Sequence, residues 1–183
     1  LLVYENLGAG KAWKQHVVCT GDEHHDGAQL TDIDADGDLD IVSIGAGGGS
    51  IARVDAGGTL RVGPESAGAE PGPACYGKGG TVPTVTDANL MLGRLSSSYA
   101  LGGEIRIDSG RAQAVVSELA QSLGLSPEAM ADGILRLVNV TMASAIREIS
   151  IQRGHDPREF ALVAFGGAGP MHARDLARDL AIP

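Results

Sequence analysis

Aromatic and basic residues are scarce in this chain, and each scarcity narrows what the protein can be. Aromatic residues make up only 3% of the 183 residues. A core must therefore be built from Ala, Val, Ile and Leu, which favours a layered α/β arrangement over a sandwich of two sheets. The 14 Lys and Arg are outnumbered by 23 Asp and Glu, which gives a formal net charge of −9. Because no basic stripe is available to neutralise phosphates, we expect no nucleic-acid partner.

Long apolar runs and closely spaced cysteines are also lacking. No run approaches the roughly 18 apolar residues of a membrane span, so we expect no membrane partner. Cys19 and Cys75 are far apart and lack the spacing of metal ligands, which predicts two buried or partly exposed thiols. The chain begins at Leu1 without Met and has no signal-peptide pattern, so we interpret it as an internal fragment.

Glycine is abundant, with 27 residues, and three glycines are clustered in the stretch ALVAFGGAGPMHA at residues 161–173. The apolar run 161–165 predicts a strand buried on both faces of a parallel sheet. A glycine turn follows at 166–169, and Pro170 suits the first position of a helix. Such a turn lets backbone N–H groups approach a phosphate or nucleotide closely. The alternative is a tight turn whose small residues serve packing.

Residues 1–44 have a different character. Short strands are predicted at 1–4, 16–19 and 41–44, with a turn at 6–10. The loop TDIDADGDLD at 31–40 has aspartates at the alternate positions that bind calcium in loop sites, and a glycine at the sharp turn. The Glu that closes an EF-hand loop is replaced by Ser43, and a merely acidic turn is the alternative. The predicted calcium ligands are Asp32, Asp34, Asp36, Asp38 and Asp40.

This N-terminal segment resembles one FG-GAP/VCBS-type repeat, a blade module of β-propellers. The resemblance is carried by Tyr4-Glu5-Asn6, Trp13, His16-Val17-Val18, Gly27-Ala28 and the aspartate loop. Such blades normally occur in several copies because one blade cannot bury its own faces. We expect a single copy to be marginally stable, and by itself it would suggest an extracellular calcium-binding or adhesion module.

From residue 45 onwards the sequence alternates between glycine-rich segments and predicted helices. Residues 50–55 and 59–62 predict a hairpin, and the Gly- and Pro-rich segment 63–80 predicts an ordered loop. Thr84 is the expected N-cap of a helix to about residue 95, with Asp87 in a capping-box position.

Three further helices are expected after this one. The first spans 111–123 and ends at Gly124, and the second begins after Ser126 and runs to about Arg153. The last spans 171–180. The long second helix has apolar residues at three- and four-residue spacing, which predicts one buried stripe. That stripe contains Ile134, Leu137, Val138, Thr141, Met142, Ala145 and Ile149.

Four segments together resemble the hydantoinase A/5-oxoprolinase family over residues 44–183. They are IGAGGGSIARVDAGGTLRVGPESAGAEPGPACYG, TVPTVTDANLMLGRL, IREISIQRGHDPREFALVAFGGAGPMHA and LAIP. The resemblance implies an ATP-dependent enzyme, or a related carboxylase subunit, that opens a cyclic amide such as 5-oxoproline or a hydantoin. The implied fold class is α/β, a partial actin-like or sugar-kinase-like ATPase domain preceded by a small all-β calcium-loop segment.

The resemblance also implies where cofactors bind. The turn at 165–170 would contact the adenosine end of ATP, and the GAGGG turn would lie beside the phosphates with Mg. Asp87 and Asn89 are candidates for metal or polar substrate contacts, although helix capping explains Asp87 equally well. No catalytic residue is assigned. The candidate ATP-binding residues are Gly45, Gly47, Gly48, Gly49, Ser50, Gly166, Gly167, Gly169 and His172.

The family's N-terminal half, with its first phosphate-binding turns and metal carboxylates, is not matched by residues 1–44. We therefore divide the chain into a repeat segment, 1–44, and a hydantoinase-type fragment, 45–183, and suspect a spliced or misassembled reading frame. The second part would be cytoplasmic, could require a hydantoinase B-like partner subunit, and is expected to be inactive alone. The alternatives are a calcium-binding module and an inert fusion product. The enzymatic reading requires that the turns near residues 47 and 167 come together.

Overall fold

The computed structural model describes residues 2–8, 12–17, 28–31, 40–43, 46–98, 105–152, 154–164 and 166–183. Its strands, in chain order, are β1 (Leu2–Gly8), β2 (Ala12–Val17), β3 (Ala28–Thr31), β4 (Asp40–Ser43), β5 (Ser50–Val54) and β6 (Leu60–Ser66). Its α-helices are α1 (Val85–Met91), α2 (Ser109–Ser122), α3 (Pro127–Gln152) and α4 (Gly169–Leu180). Short 3₁₀ turns lie at Ala74–Tyr76 and Pro157–Glu159.

The described strands form three antiparallel pairs, β1 with β2, β3 with β4, and β5 with β6. The predicted hairpin at 50–62 is confirmed, and its second strand continues four residues into the segment predicted as a loop. β1 likewise extends through three residues of the turn predicted at 6–10. Residues 32–39 of the aspartate loop lie outside the described residues, and Asp40 is described only as the first residue of β4.

The predicted parallel-sheet strand at 161–165 is wrong for residues 161–164, and residue 165 lies outside the described residues. Residues 161–164 have no strand pairing, and the Val163 side chain is 71% exposed. An apolar run of this kind becomes a buried parallel strand only where neighbouring strands accept its backbone hydrogen bonds. The described part of the chain provides no such neighbour. The helix predicted after the glycine turn is confirmed as α4, which has Pro170 in its first turn.

Helix α3 forms the centre of the core and contacts α1, α2, α4 and β6. By length and composition residues Pro127–Ile151 of this helix could cross a membrane, which the search for apolar runs in the sequence missed, and one face of the helix is buried against these elements. The predicted stripe is partly wrong, because Leu137 is 38% exposed and Thr141 is also exposed. The observed buried face differs from the predicted stripe because the helix packs against several elements. It consists of Met130, Ala131, Ile134, Leu135, Val138, Met142 and Ala143.

The helix ends follow the capping signals in the sequence. Thr84 and Asp87 form the predicted capping box, and the Ser126 hydroxyl accepts from the N–H of Ala129 at 3.2 Å. Gly124 is left-handed at the end of α2, as predicted. Helix α1 is shorter than predicted and ends at Met91, because Gly93 takes a left-handed conformation that an α-helix cannot continue through.

Candidate functional site: a cleft between two glycine turns

The two glycine turns near residues 47 and 167 lie side by side, as predicted. A Cβ built on Gly48 would be 3.5 Å from the Cβ of Ala168, so the turns approach within van der Waals contact. Between them is a cleft of about 280 Å³ lined by Gly48 and Gly49 on one side and Gly167 and Ala168 on the other. The sequence pattern therefore identified the two turns that form this cleft.

The remaining walls of the cleft come from segments whose role the sequence did not reveal. Gly68 and Ala69 of the Gly- and Pro-rich loop contribute small residues. Tyr76, Leu95 and Met171 contribute larger, mainly apolar surfaces, and Pro73 and Thr86 complete the lining. Among the described residues, no acidic side chain lines the cleft, which favours a ligand that carries negative charge.

The first turn is buried and held from behind through its carbonyl groups. The carbonyl of Gly47 accepts from Ser50 N at 3.1 Å, and that of Gly49 accepts from Ala67 N at 2.8 Å. The carbonyl of Gly48 accepts from Thr86 twice, from its N–H at 2.8 Å and its hydroxyl at 2.9 Å. The Ser50 hydroxyl accepts from Gly47 N at 2.8 Å and so closes the turn.

Two N–H groups of the same turn, unlike its carbonyl groups, have no hydrogen-bond partner among the described residues. Gly48 and Gly49 are buried and line the cleft, yet none of the described residues accepts a hydrogen bond from their N–H groups. A buried backbone donor without an acceptor costs free energy comparable to a lost hydrogen bond. A ligand oxygen in the cleft would supply that acceptor, so this turn is built to favour an anion.

The second turn offers similar donors from a helix terminus. Ala168 is the N-cap residue of α4 and makes no side-chain cap, and no described residue accepts from the N–H of Gly167 or Ala168. A Cβ added at Gly167 or Gly169 would meet open space, and Gly166 takes a left-handed conformation. The N-terminal end of a twelve-residue helix favours negative charge, as do the amides of the first turn.

His172 lies one turn into α4 and is fully buried, rather than lining the cleft or lying on the surface. Its Nδ1 is 2.7 Å from Oδ1 of Asn139 on α3. Burial, followed by the charge of Arg94, lowers the pKa of His172 to about 4, and the charge of Asp175 opposes this shift. The predicted phosphate contact through this ring is therefore not supported, and the neutral ring joins α4 to α3.

Sequence reasoning missed the other members of this group. Asp175 accepts from Arg94 at 2.9 Å and from the Asn139 amide at 3.4 Å, so the contacts link three elements. The available signal was Asn139 itself, which is 6% exposed and stands in the apolar stripe of a core helix. A buried amide of this kind requires a polar partner.

The metal interpretation of Asp87 is corrected by its surroundings. Its carboxylate is fully buried and accepts from Cys75 N at 2.8 Å, Thr84 N at 2.9 Å, the Thr84 hydroxyl at 2.8 Å and Ala74 N at 3.3 Å. These donors occupy both oxygens, so Asp87 ties the Gly- and Pro-rich loop to α1. Burial, followed by the nearby charge of Asp87, raises the pKa of the Cys75 thiol, which is buried as predicted.

Asn89 is also buried, and its amide donates to Val85 O at 3.0 Å. Across the described ranges there is no group of three or more His, Cys, Asp or Glu residues that could hold a metal. Of the remaining candidates, Gly45 lies outside the described residues. Gly47, Ser50, Gly166 and Gly169 shape the two turns but do not line the cleft.

Comparison with known proteins places this arrangement in a family. The model of the hydantoinase/oxoprolinase family matches residues 30–183, so the match begins within the segment that we predicted to be a separate repeat. The caprolactamase subunit alpha of Pseudomonas jessenii is 54% identical over 143 residues, which cover 78% of this chain and 20% of that protein. The acetophenone carboxylase gamma subunit of Aromatoleum aromaticum is 46% identical over 144 residues, with the same coverage.

A solved structure gives the same result. The crystal structure of the ATP-dependent caprolactamase from Pseudomonas jessenii superposes with a TM-score of 0.73 and 52% identity, over 79% of this chain and 21% of that one. The chain thus spans about a fifth of the length of these relatives. Neither these relatives nor the caprolactamase structure supports a calcium site or an FG-GAP/VCBS repeat in this chain. The chain belongs to the hydantoinase/oxoprolinase family.

Proposed function

We propose that this chain forms part of the ATP site of an ATP-dependent enzyme that opens a small cyclic amide. The family match and the caprolactamase relative support this reaction class, although the acetophenone carboxylase relative indicates that family members act on different substrates. The observation that carries the proposal is the cleft, in which two glycine turns face each other with backbone donors that no described residue uses.

The residues of the cleft fit a nucleotide phosphate better than they fit a metal. Backbone amides of Gly48 and Gly49 on one side and the N-terminal end of α4 on the other favour negative charge. None of the described residues that line the cleft is a carboxylate, and both oxygens of the nearby Asp87 are occupied by donors of the fold. We therefore derive no step through a metal ion held by these residues.

When bound, ATP supplies the phosphoryl group that can activate an otherwise unreactive amide oxygen. The role of this chain would be to bind ATP and to orient its phosphates. The first turn would hold phosphate oxygens, the small residues Gly68 and Ala69 leave room beside them, and Tyr76, Leu95 and Met171 provide an apolar wall. Ordered backbone donors of this kind require no rearrangement when the phosphoryl group is transferred.

The remaining parts of the active enzyme would be supplied from outside this chain. The caprolactamase relative is named as a subunit, which supports a multi-subunit enzyme and a requirement for a hydantoinase B-like partner. We also propose a cytoplasmic location for this hydantoinase-type part, because the proposed reaction consumes ATP. The calcium loop at 31–40 stays a prediction, and addition of calcium to the purified chain should raise its melting temperature if the loop binds the ion.

Calorimetric titration of ATP into the 183-residue chain tests the proposal. Gly167→Asp introduces a negative charge into open space in the cleft, and we expect it to weaken ATP binding by about tenfold or more. Gly167→Lys has a side chain of opposite charge at the same position and should bind ATP at least as tightly as the unsubstituted chain. Gly167→Ala serves as the uncharged control. Equal affinity of the Asp and Lys variants would contradict an anion site at this turn.

A further inference from the structure

We propose that Thr86 is a positioning residue of this cleft, which orients the peptide between Gly48 and Gly49 towards the bound anion. The inference rests on the proposed function and adds a residue that no sequence signal assigned to the site. The capping pattern accounts for its neighbours Thr84 and Asp87, and it leaves Thr86 without a role. The structure supplies that role through two hydrogen bonds to the first glycine turn.

Both donors of Thr86 converge on a single carbonyl oxygen. Thr86 is the second residue of α1, where backbone N–H groups have no acceptor within the helix. Its N–H donates to Gly48 O at 2.8 Å and its hydroxyl donates to the same oxygen at 2.9 Å. Thr86 is only 5% exposed, so these bonds are shielded from competition with water.

Holding this carbonyl also fixes the next N–H group. The carbonyl of Gly48 and the N–H of Gly49 belong to one planar trans peptide and point in opposite directions. With the carbonyl held at Thr86, the N–H of Gly49 must point away from Thr86. No described residue accepts it, and Gly49 lines the cleft. Thr86 therefore determines the direction in which this donor is presented.

The hydroxyl of Thr86 also occupies the space that a side chain at position 48 would need. A Cβ on Gly48 would lie 2.8 Å from the Thr86 hydroxyl oxygen, closer than real Cβ contacts allow. Only glycine at position 48 lets the hydroxyl reach the carbonyl behind it. The requirement for glycine here thus follows from the positioning contact as well as from the ligand.

Two substitutions at position 86 separate the hydroxyl donor from the shape of the side chain. Thr86→Val removes the hydroxyl but keeps the branched shape and the backbone N–H bond, and we expect ATP binding to weaken by about tenfold. Thr86→Ser restores the donor and should restore affinity to within about twofold. Thr141→Val is the matched control, because the Thr141 hydroxyl is exposed and donates to Leu137 O of its own helix at 3.1 Å.

A second readout separates positioning from stability. On addition of ATP, the amide resonance of Gly49 should shift in the unsubstituted chain and in Thr86→Ser. In Thr86→Val the shift at saturating ATP should be smaller, in a chain that still folds and whose melting temperature falls because one buried hydrogen bond is lost. If the unsubstituted chain binds ATP while the Gly49 resonance stays in place, or if Thr86→Val binds equally well, Thr86 has no such role and the ATP site stands.

If Thr86→Val does not fold, Thr86→Ala takes its place, and ATP affinity equal to that of the unsubstituted chain would overturn the role of Thr86. Failure of the unsubstituted chain to bind ATP at all overturns both the site and the role of Thr86. Inorganic phosphate, titrated in place of ATP, should shift the Gly49 resonance as well, since the donor is proposed to face an anionic oxygen rather than the base.

Discussion

Residues 47–49 and residues 166–169 are both glycine-rich turns at the same cleft, yet the fold holds them by different means. Every carbonyl of the first turn accepts a hydrogen bond from another described residue, and the turn is buried. The second turn is largely exposed and follows residues 161–164, which pair with no described strand. Its position depends on α4, which is joined to α3 through His172 and Asn139.

The difference shows that glycine has two roles in one site. At Gly48 it is required because the Thr86 hydroxyl occupies the space where a Cβ would lie. At Gly167 no atom stands within 4 Å of such a Cβ, so glycine only leaves the cleft open. Substitutions in the first turn should therefore lower stability as well as ligand binding, and substitutions in the second should affect ligand binding with little change in stability.

The largest expected effect is at Asp87, which ties the Gly- and Pro-rich loop to the helix that carries Thr86. Asp87→Asn replaces one acceptor oxygen with a donor that faces the N–H groups of Ala74, Cys75 or Thr84. A buried donor without an acceptor, together with the loss of charge-assisted bonds, should lower the free energy of unfolding by about 3 kcal/mol. Urea unfolding measures this value. The control Asp132→Asn alters a half-exposed helix pair with Arg136 and should change stability by less than about 1 kcal/mol.

The next effect compares the same substitution in both turns. Gly48→Ala forces the Thr86 hydroxyl out of its hydrogen bond, and we expect a loss of about 2 kcal/mol, or a melting temperature lower by about 4–8 °C. Gly167→Ala meets open space and should leave the melting temperature almost unchanged. Removal of the hydroxyl in Gly48→Ala/Thr86→Ala should recover part of the loss. Equal melting temperatures for the two single variants would remove the distinction between the turns.

A smaller effect on the free energy of unfolding should appear with pH at His172, which joins α4 to α3 behind the second turn. The folded-state pKa of His172, about 4, lies below its ordinary value of 6.5, so the unfolded chain binds more protons between these values. The free energy of unfolding should therefore fall as the pH drops through this window. The contribution of His172 to this fall should be somewhat under about 2 kcal/mol between pH 7 and pH 5.

The pH dependence can be assigned by substitution. In His172→Gln the difference between pH 7 and pH 5 should shrink by the contribution of that ring. An unchanged pH dependence in His172→Gln would show that the pKa of His172 is not lowered in the folded chain.

How much the sequence predicts depends on whether the signal is local. The capping box at Thr84, the left-handed Gly124 and the start of α4 were predicted because each depends on a few adjacent residues. The strand at 161–165 failed because a strand needs partners that a local pattern cannot supply. The contact of Thr86 with Gly48 has no signature in either segment alone. Asn139 in the apolar stripe of α3 indicates that a polar partner is needed, but it does not identify that partner as His172.

The central claim is that both turns hold the same anion, and backbone amide shifts during an ATP titration test it most directly. The account predicts that the amides of Gly49 and Ala168 shift together and yield a single dissociation constant. A shift at only one of the two turns, or two different dissociation constants, would contradict a shared site.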